Sequence, residues 1–442
     1  MPTLEEKDMS ASKWIGRSRG VFAGCLVTLL WALQPGFAAE LDASGGPSGN
    51  RWVTTWSAAQ QQPGPMTIDS LIFGNDQSRS FENQTIRHIV HTSVGGKRVR
   101  VRLSNAFGFL PLRVGAASVA LRLAQSSIYP GTNRRLTFSG QTSIVVPAGA
   151  VAVSDAVDLD VPGARDLAVS VYLPTLTEPA TYHEQTMQVS YITGVGNFTN
   201  VADLTAPTST QSTYYLSAVE VLASELVGTV VALGDSITQG AGSSLGQNHT
   251  WPDYLSARLN PNPSRPRLAV INQGIGCGRL LHDFCGPSGA ARFDRDVLSV
   301  AGVTSVIVHL GLNDIMIPTT LGPFFPEFAG EMVSATDMIV GLHQLALRAR
   351  ARGVKIFGAT ITPNGSSGIP GVFTPENEAK RQAVNRWIRT SGAFDGVIDF
   401  DATVRDPANP TQLRPAYSFD GVHLTDAGYE AMAAAINLPM LF

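Results

Sequence analysis

Cysteine is scarce in this chain: only three occur among 442 residues, at positions 25, 277 and 285. Neither a C-x-x-C pair nor an H-E-x-x-H motif occurs, and no other cluster has the spacing of metal ligands. We therefore expect no bound metal and no other cofactor. The two later cysteines, Cys277 and Cys285, can close a small loop as a disulfide in an oxidising compartment, and two unpaired buried thiols are the alternative.

Charge is also low, since Asp, Glu, Lys and Arg make up 15% of the residues and the net charge is −3. No long basic run occurs, which argues against nucleic acid as the main partner. Hydrophobic residues make up 44%, the composition of a globular chain rather than a disordered one. A chain of 442 residues has enough material for two or three domains with a large core.

Long apolar runs are absent apart from residues 21–33, which at about 13 residues are short for a membrane span. Lys13, Arg17 and Arg19 precede this run, and small residues at 36–38 suit a cleavage site. Residues 1–38 therefore resemble a signal peptide. A lipoprotein interpretation based on Cys25 is disfavoured, because the apolar run follows this cysteine. We expect a secreted or periplasmic protein without a stable membrane anchor, with residues 39–50 as a linker.

Residues 51–224 show short alternating runs separated by turns, which predicts an all-β domain. The clearest run is 98–103, in which arginines alternate with apolar residues, and the segments 85–92 and 167–173 are further candidate strands. Short strands at this spacing favour a jelly-roll-like β-sandwich. Such a module either contacts glycans or packs on the catalytic domain as a structural element, and the structural role is slightly favoured.

Residues 225–442 alternate between apolar strands and helices, which predicts a parallel sheet covered on both faces. We expect a three-layer α/β/α domain with a flavodoxin-like sheet. The candidate strands are 229–233, 268–272, 305–310, 354–359 and 396–400. The candidate helices are 252–259, 334–352, 375–391 and 425–436.

Polar residues stand where these strands end or in a late loop. Ser236 follows the first strand, the segment 272–277 ends the second, and Asn313 follows the third. Asp420 and His423 precede the last helix. Because ligands bind at the carboxyl ends of parallel strands, one rim of the sheet can hold all of these groups.

These four blocks resemble those of the GDSL (SGNH) hydrolase family, whose blocks carry a serine, a glycine, an asparagine and a histidine. Here they read Gly-Asp-Ser236-Ile-Thr, Asn272-Gln-Gly-Ile-Gly-Cys-Gly, Gly-Leu-Asn313-Asp and Asp420-Gly-Val-His423. The resemblance covers about 190 residues, and the preceding β-domain resembles the module found in some exported bacterial members. It implies a serine esterase with an acyl-enzyme intermediate.

In this interpretation Ser236 is the nucleophile, His423 its base, and Asp420 the group that orients the imidazole. The implied oxyanion hole consists of the N–H groups of Ser236 and Cys277 and the amide of Asn313. Family members usually have glycine where this chain has Cys277. We expect a disulfide to Cys285 to hold Cys277 in a conformation that glycine adopts freely.

The favoured function is an exported esterase acting on small acyl esters, with carbohydrate O-acetyl esters as the preferred substrate class. The alternative is a lipase or a general carboxylesterase or arylesterase that acts on lipid or aryl esters. A binding module with a decayed hydrolase fold is disfavoured, because no catalytic group is missing. Ser244 lies in a G-x-S-x-G sequence, but it is disfavoured as the nucleophile because no strand leads into it.

Overall fold

The structure is a computed structural model that describes residues 49–64, 79–224, 226–262 and 267–442. The predicted signal peptide, residues 1–38, and the predicted linker up to residue 48 lie outside the described residues. Strand β1 (Asn50–Ser57) begins at the last residue of that linker. In the ranges that the structure describes, no helix has the length and apolar character needed to cross a membrane.

The region before residue 225 consists of short strands, and the three candidate strands are confirmed to within two residues as β2, β3 and β11. Side chains alternate between the two faces of these strands, so that in β3 the valines are buried on one face and the arginines lie on the other. In the described part of this region the strands after β1 are β2 (Gln84–His91), β3 (Gly96–Ser104), β4 (Leu112–Val114), β5 (Ala116–Ala124), β6 (Ser127–Ile128), β7 (Arg134–Leu136), β8 (Ile144–Val146), β9 (Val151–Val153), β10 (Val157–Val161), β11 (Asp166–Leu173), β12 (Tyr182–His183), β13 (Ser190–Val195), β14 (Thr208–Thr210), β15 (Thr213–Tyr214) and β16 (Leu216–Ser224).

Two antiparallel sheets enclose the core of this β-rich region. One has the strand order β1-β16-β3-β10, with β9 also paired to β3. The other has the order β14-β13-β2-β11-β5-β6, with β7 also paired to β5. Val99 and Val101 from the first sheet and Val169 and Val171 from the second belong to one cluster of fully buried side chains. The two sheets therefore stack face to face, as in a β-sandwich.

The arginine-bearing face of β3 is neutralised within the fold. Arg100 donates to a carboxylate oxygen of Glu220 at 2.6 Å, and Arg102 donates to the other oxygen. Glu220 lies opposite Arg100 on the neighbouring strand β16 and is fully buried. A buried carboxylate needs such partners, because its desolvation is otherwise costly. Two of the three arginines on this face are therefore neutralised by a carboxylate inside the fold.

The second half contains a five-stranded parallel sheet, formed by β17 (Gly228–Gly234), β18 (Leu268–Gly274), β19 (Val303–His309), β20 (Lys355–Ala359) and β21 (Gly396–Ile398). Its order, β18-β17-β19-β20-β21, is the flavodoxin-like order 2-1-3-4-5. The five predicted strands are confirmed, although the last ends at Ile398 because Asp399 caps the helix that follows. Every residue of β17 is buried, as expected of a strand inside a parallel sheet.

The four predicted helices are confirmed as α2, α6, α7 and α9. Helices α2 and α9 contact each other, and α2 packs on β18; α6 contacts α7 and packs on β20. Asn313 follows β19, as the sequence predicts, and is the second residue of a further helix, α4 (Leu312–Leu321). In the described ranges the helices are α1 (Ser236–Gln239), α2 (Trp251–Leu259), α3 (Gly289–Phe293), α4 (Leu312–Leu321), α5 (Pro326–Ala329), α6 (Ala335–Arg350), α7 (Pro375–Thr390), α8 (Phe400–Val404) and α9 (Asp426–Ala435).

The β-rich and α/β regions are in direct contact. The Ser93 hydroxyl accepts a hydrogen bond from the N–H of Val270 in the edge strand β18, at 2.9 Å. The N–H of Thr54 in β1 donates to the carbonyl of Ala301 at the same distance. Ala269 of β18 belongs to the apolar cluster of the β-rich region. Both regions accordingly fall within one compact unit, Ser44–Phe442.

Candidate active site

The sharp turn between β17 and α1 presents Ser236 at the carboxyl end of the parallel sheet. Asp235 caps α1, because its carboxylate accepts a hydrogen bond from the N–H of Ile237 at 3.0 Å. Gly234 permits the turn, since a Cβ there would lie 1.9 Å from the Thr238 hydroxyl oxygen. The turn thus depends on close backbone packing that a larger residue would prevent.

His423 and Asp420 lie in one tight loop ahead of α9. The N–H groups of Val422 and His423 donate to one Asp420 oxygen at 3.0 and 2.8 Å. The other Asp420 oxygen accepts from His423 Nδ1 at 2.7 Å. The opposite ring nitrogen of His423, Nε2, lies 2.8 Å from the hydroxyl oxygen of Ser236. The loop therefore links a carboxylate, an imidazole and a serine hydroxyl in one continuous chain of hydrogen bonds.

The pKa values of the two aspartates near Ser236 move in opposite directions. Burial alone would raise the pKa of Asp420, but the hydrogen bond and charge of His423 and two backbone N–H groups outweigh it and lower the pKa well below the ordinary value. Burial raises the pKa of Asp235 to about 7, with its hydrogen bond to Ile237 N–H opposing the shift. Asp420 therefore stays ionised at neutral pH.

The loop after β18 packs against the turn that presents Ser236. The N–H of Ile275 donates to the carbonyl of Gly234 at 3.2 Å. Glycine at position 274 allows the loop to pack this closely, because a Cβ there would lie 2.2 Å from the backbone nitrogen of Gln239. Cys277 has φ of +47°, in the left-handed region that L-residues other than glycine rarely adopt.

Cys277 and Cys285 form a disulfide with their Cα atoms 5.9 Å apart. The predicted pairing is therefore present in the structure. Both cysteines are buried beside Ile317 and Phe328, so the disulfide joins the loop to the apolar surface of α4 and α5.

The first turn of α4 holds the same loop from another side. The side-chain amide of Asn313 donates one of its two N–H groups to the carbonyl of Gly278 at 3.0 Å. Asp314 accepts from the N–H groups of Leu280 and Leu281 at 2.6 and 2.9 Å. The side-chain amide of Asn313 thus lies beside the loop that carries Cys277. The second N–H of this amide is left for another acceptor.

Arg292 has a role that the sequence interpretation missed. It pairs with Asp296, four residues further along the chain, at 3.1 Å. Its fully buried guanidinium also donates to the carbonyls of Gly234 and Gln273, at 2.8 and 2.7 Å. These carbonyls lie at the ends of β17 and β18, so one cation joins the two strand ends that lead into the site. The i, i+4 spacing of Arg292 and Asp296 is visible in the sequence, but the carbonyl partners of Arg292 are not.

The other candidate residues lie apart from this hydrogen-bond chain. Ser244 lies in a turn, and its N–H donates to Asp426 at 2.7 Å. His183 is buried, and burial lowers its pKa to about 4. Among the described residues, no three or more His, Cys, Asp or Glu side chains are grouped to hold a metal ion. The expectation of no metal stays a prediction.

A flavodoxin-like α/β domain that holds serine, histidine and aspartate in hydrogen-bond contact at the carboxyl end of its sheet is the framework of a hydrolase. Comparison with protein families agrees, because the model of the GDSL-like lipase/acylhydrolase family matches residues 232–431. Residues 232–431 therefore form a domain of this family, and the protein is a carboxylic ester hydrolase. No curated protein matches the chain.

Solved structures resemble about half of the chain. An aryl esterase from M. smegmatis is 16% identical, with a TM-score of 0.38 over 49% of this chain and 100% of that chain. A catalytic mutant of an acetylxylan esterase from Geobacillus stearothermophilus is 21% identical, with a TM-score of 0.37 over 48% of this chain and 94% of that chain. A GDSL-like lipase from Bacteroides thetaiotaomicron is 22% identical, with a TM-score of 0.35 over 49% and 88%.

Proposed function

We propose that the protein is an exported serine esterase that hydrolyses small acyl esters through an acyl-enzyme, with Ser236, His423 and Asp420 as its catalytic triad. The observation that carries this proposal is the position of His423, which is bonded to Ser236 through Nε2 at 2.8 Å and to Asp420 through Nδ1 at 2.7 Å. A hydroxyl becomes an effective nucleophile only when a neighbouring base accepts its proton, and this geometry supplies that base.

In the acylation step the Ser236 oxygen bonds to the ester carbonyl carbon while its proton passes to His423 Nε2. Asp420, held as a carboxylate, stabilises the resulting imidazolium. His423 then returns the proton to the alcohol oxygen as the C–O bond breaks, which leaves the acyl group on Ser236. In deacylation a water molecule attacks the acyl carbon, and the same proton transfers release the acid and restore Ser236.

The tetrahedral intermediates carry a negative oxygen that requires fixed donors. We propose the N–H groups of Ser236 and Cys277 and the side-chain amide of Asn313 for this role. The Ser236 N–H is in the first turn of a helix, where backbone donors lack intrahelical acceptors. The bond from Asn313 to Gly278 supports the assignment, since it holds the amide beside the loop that carries Cys277.

Carbohydrate O-acetyl esters are the substrate class that we propose, with the β-rich region as a jelly-roll-like module that contacts the glycan. A cavity of about 150 Å³ between this region and α2 supports that contact. Trp56, His91, Gln188, Asn248 and Asp253 line it, a mixture of an aromatic face and hydrogen-bonding groups that suits a hydroxyl-rich ligand. A Gln188→Leu variant should then raise KM for acetylated xylan and leave turnover of nitrophenyl acetate unchanged.

Replacement of the nucleophile tests the proposed chemistry. Ser236→Ala should lower kcat for nitrophenyl acetate at least 10³-fold, because members of a triad act as a unit. Labelling of the protein by an organophosphate should disappear in the same variant. Ser244→Ala is the matched control and should behave as the wild type. A dead Ser244→Ala variant beside an active Ser236→Ala variant would overturn the assignment.

A substrate panel separates the two ester classes. Nitrophenyl esters of increasing acyl length, measured beside acetylated xylan, should give the highest kcat/KM for acetate and release acetate from the polymer. A preference for long acyl chains, with no acetate release from xylan, would favour the alternative function of a lipase or general carboxylesterase. Export is tested separately by locating the full-length protein in the host's medium or periplasm.

A further inference from the structure

A glutamine from the β-rich region reaches into the loop that carries Cys277. Gln61 follows β1 and is fully buried, and its backbone pairs with Tyr182 through two hydrogen bonds. Its side-chain amide donates to the carbonyl of Cys285 at 2.6 Å. Its side-chain oxygen accepts from the N–H of Glu184 at 2.8 Å, so both ends of the amide are engaged.

Gln61 therefore connects the β-rich region to the proposed oxyanion hole in two steps. The first step is its bond to the Cys285 carbonyl, and the second is the disulfide from Cys285 to Cys277. Gly286 lies directly against this glutamine, since a Cβ there would be 3.1 Å from Gln61 Cγ. The loop cannot move away from Gln61 without leaving two buried polar groups unpaired.

A second contact from the β-rich region reaches the helix that begins at Ser236. Gln239, the last residue of α1, donates through its side-chain amide to the carbonyl of Gln185 at 2.8 Å. His183 stands beside it, and its Nδ1 donates to the carbonyl of Ala59 at 2.8 Å. The side-chain oxygen of Gln239 faces Gly276 in the loop after β18. The β-rich region thus touches two of the three elements that carry the proposed oxyanion donors, α1 and the Cys277 loop.

From these contacts we propose that Gln61 is a positioning residue for catalysis, through which the β-rich region holds the Cys277 loop in its active conformation. The inference rests on the proposed function and adds that hydrolysis of even a small ester depends on a residue outside the matched hydrolase domain. Displacement of a catalytic group by about 1 Å can cost on the order of 100-fold in rate. An oxyanion donor matters chiefly in the transition state, so the loss should fall on kcat rather than KM.

The neighbouring glutamine provides a matched control. Gln60 is equally buried, but its side-chain amide donates to the carbonyls of Ala58 and Leu216, both within the β-rich region. Gln61→Leu and Gln60→Leu should therefore lower the melting temperature by similar amounts. Only Gln61→Leu should lower kcat for nitrophenyl acetate, by about 10- to 100-fold, with KM changed less than about threefold.

Two further variants make the outcome decisive. If Gln61→Leu does not fold, Gln61→Met is used, because it keeps the length of the side chain while losing the donor to the Cys285 carbonyl. In a double-mutant cycle, Gln61→Leu and Cys285→Ser should be non-additive in kcat, because both act on the same loop. Wild-type kcat in the folded Gln61 variant, equal losses in the Gln60 control, or full additivity would each overturn the inference. Failure of the proposed function would show separately, as an active Ser236→Ala variant.

Discussion

The conformation of Cys277 leads to the sharpest prediction, which concerns the disulfide. Cys277 has φ of +47° and a bond to Cys285. The left-handed region costs an L-residue with a Cβ about 1–2 kcal/mol. If the disulfide offsets that cost, Cys285→Ser should reduce the population of the active loop conformer. A cost of this size corresponds to a loss of roughly 5- to 30-fold in kcat.

Stability should respond much less than activity. A disulfide across eight residues constrains the unfolded chain by about 2–3 kcal/mol in the entropy model. Because the unfolding entropy scales with chain length, a protein of 442 residues should lose only about 3 °C in Tm. The assay is kcat for nitrophenyl acetate well below Tm, so that unfolding does not contribute to the loss.

Glycine at position 277 separates backbone conformation from the loss of the crosslink. Cys277→Gly combined with Cys285→Ser should recover kcat to within about threefold of the wild type, because glycine adopts positive φ without a steric penalty. The matched control, Cys277→Ser with Cys285→Ser, keeps a Cβ at this position and should stay slow. Equal kcat in the glycine and serine double variants would refute the reasoning, as would full activity of Cys285→Ser alone.

Three further predictions concern the neighbouring polar groups. Asn313→Ala should lower kcat by about 10²–10³-fold with little change in KM, and a loss confined to KM would remove Asn313 from the proposed oxyanion hole. Asp420→Asn should lower kcat by up to about 10⁴-fold, because an amide no longer favours the required tautomer of His423; near-normal kcat would contradict the triad. The pKa of Asp235 is about 7 in the folded protein against an ordinary 3.8, so its stabilising contribution is complete below pH 4 and is lost as the pH rises through 7. Asp235→Asn keeps the helix cap but has no titrating group. The free energy of unfolding of this variant, measured in urea and compared with that of the wild type, should therefore increase from pH 4 to pH 8. A constant difference would show that Asp235 does not titrate in this range.

The elements of the α/β half could be predicted from local patterns. Apolar runs and helix caps such as Thr374 and Thr425 are recognisable from neighbouring residues, and the observed strands and helices begin and end close to the predicted positions. The grouping of Ser236 with His423 also followed from a general rule, because parallel strands present their carboxyl ends at one edge of the sheet. The sequence alone thus determined the fold class and the residue types available at that edge.

Tertiary structure decided how those residues are held. The 2.8 Å contact between Ser236 and His423 joins positions 187 residues apart, and the bond from Gln61 to Cys285 joins positions 224 residues apart. It also paired Arg100 and Arg102 of β3 with Glu220 and set Cys277 at positive φ. The partners of Gln61 and Arg292 include backbone carbonyls, which every residue carries, so no side-chain pattern in the sequence could indicate these contacts.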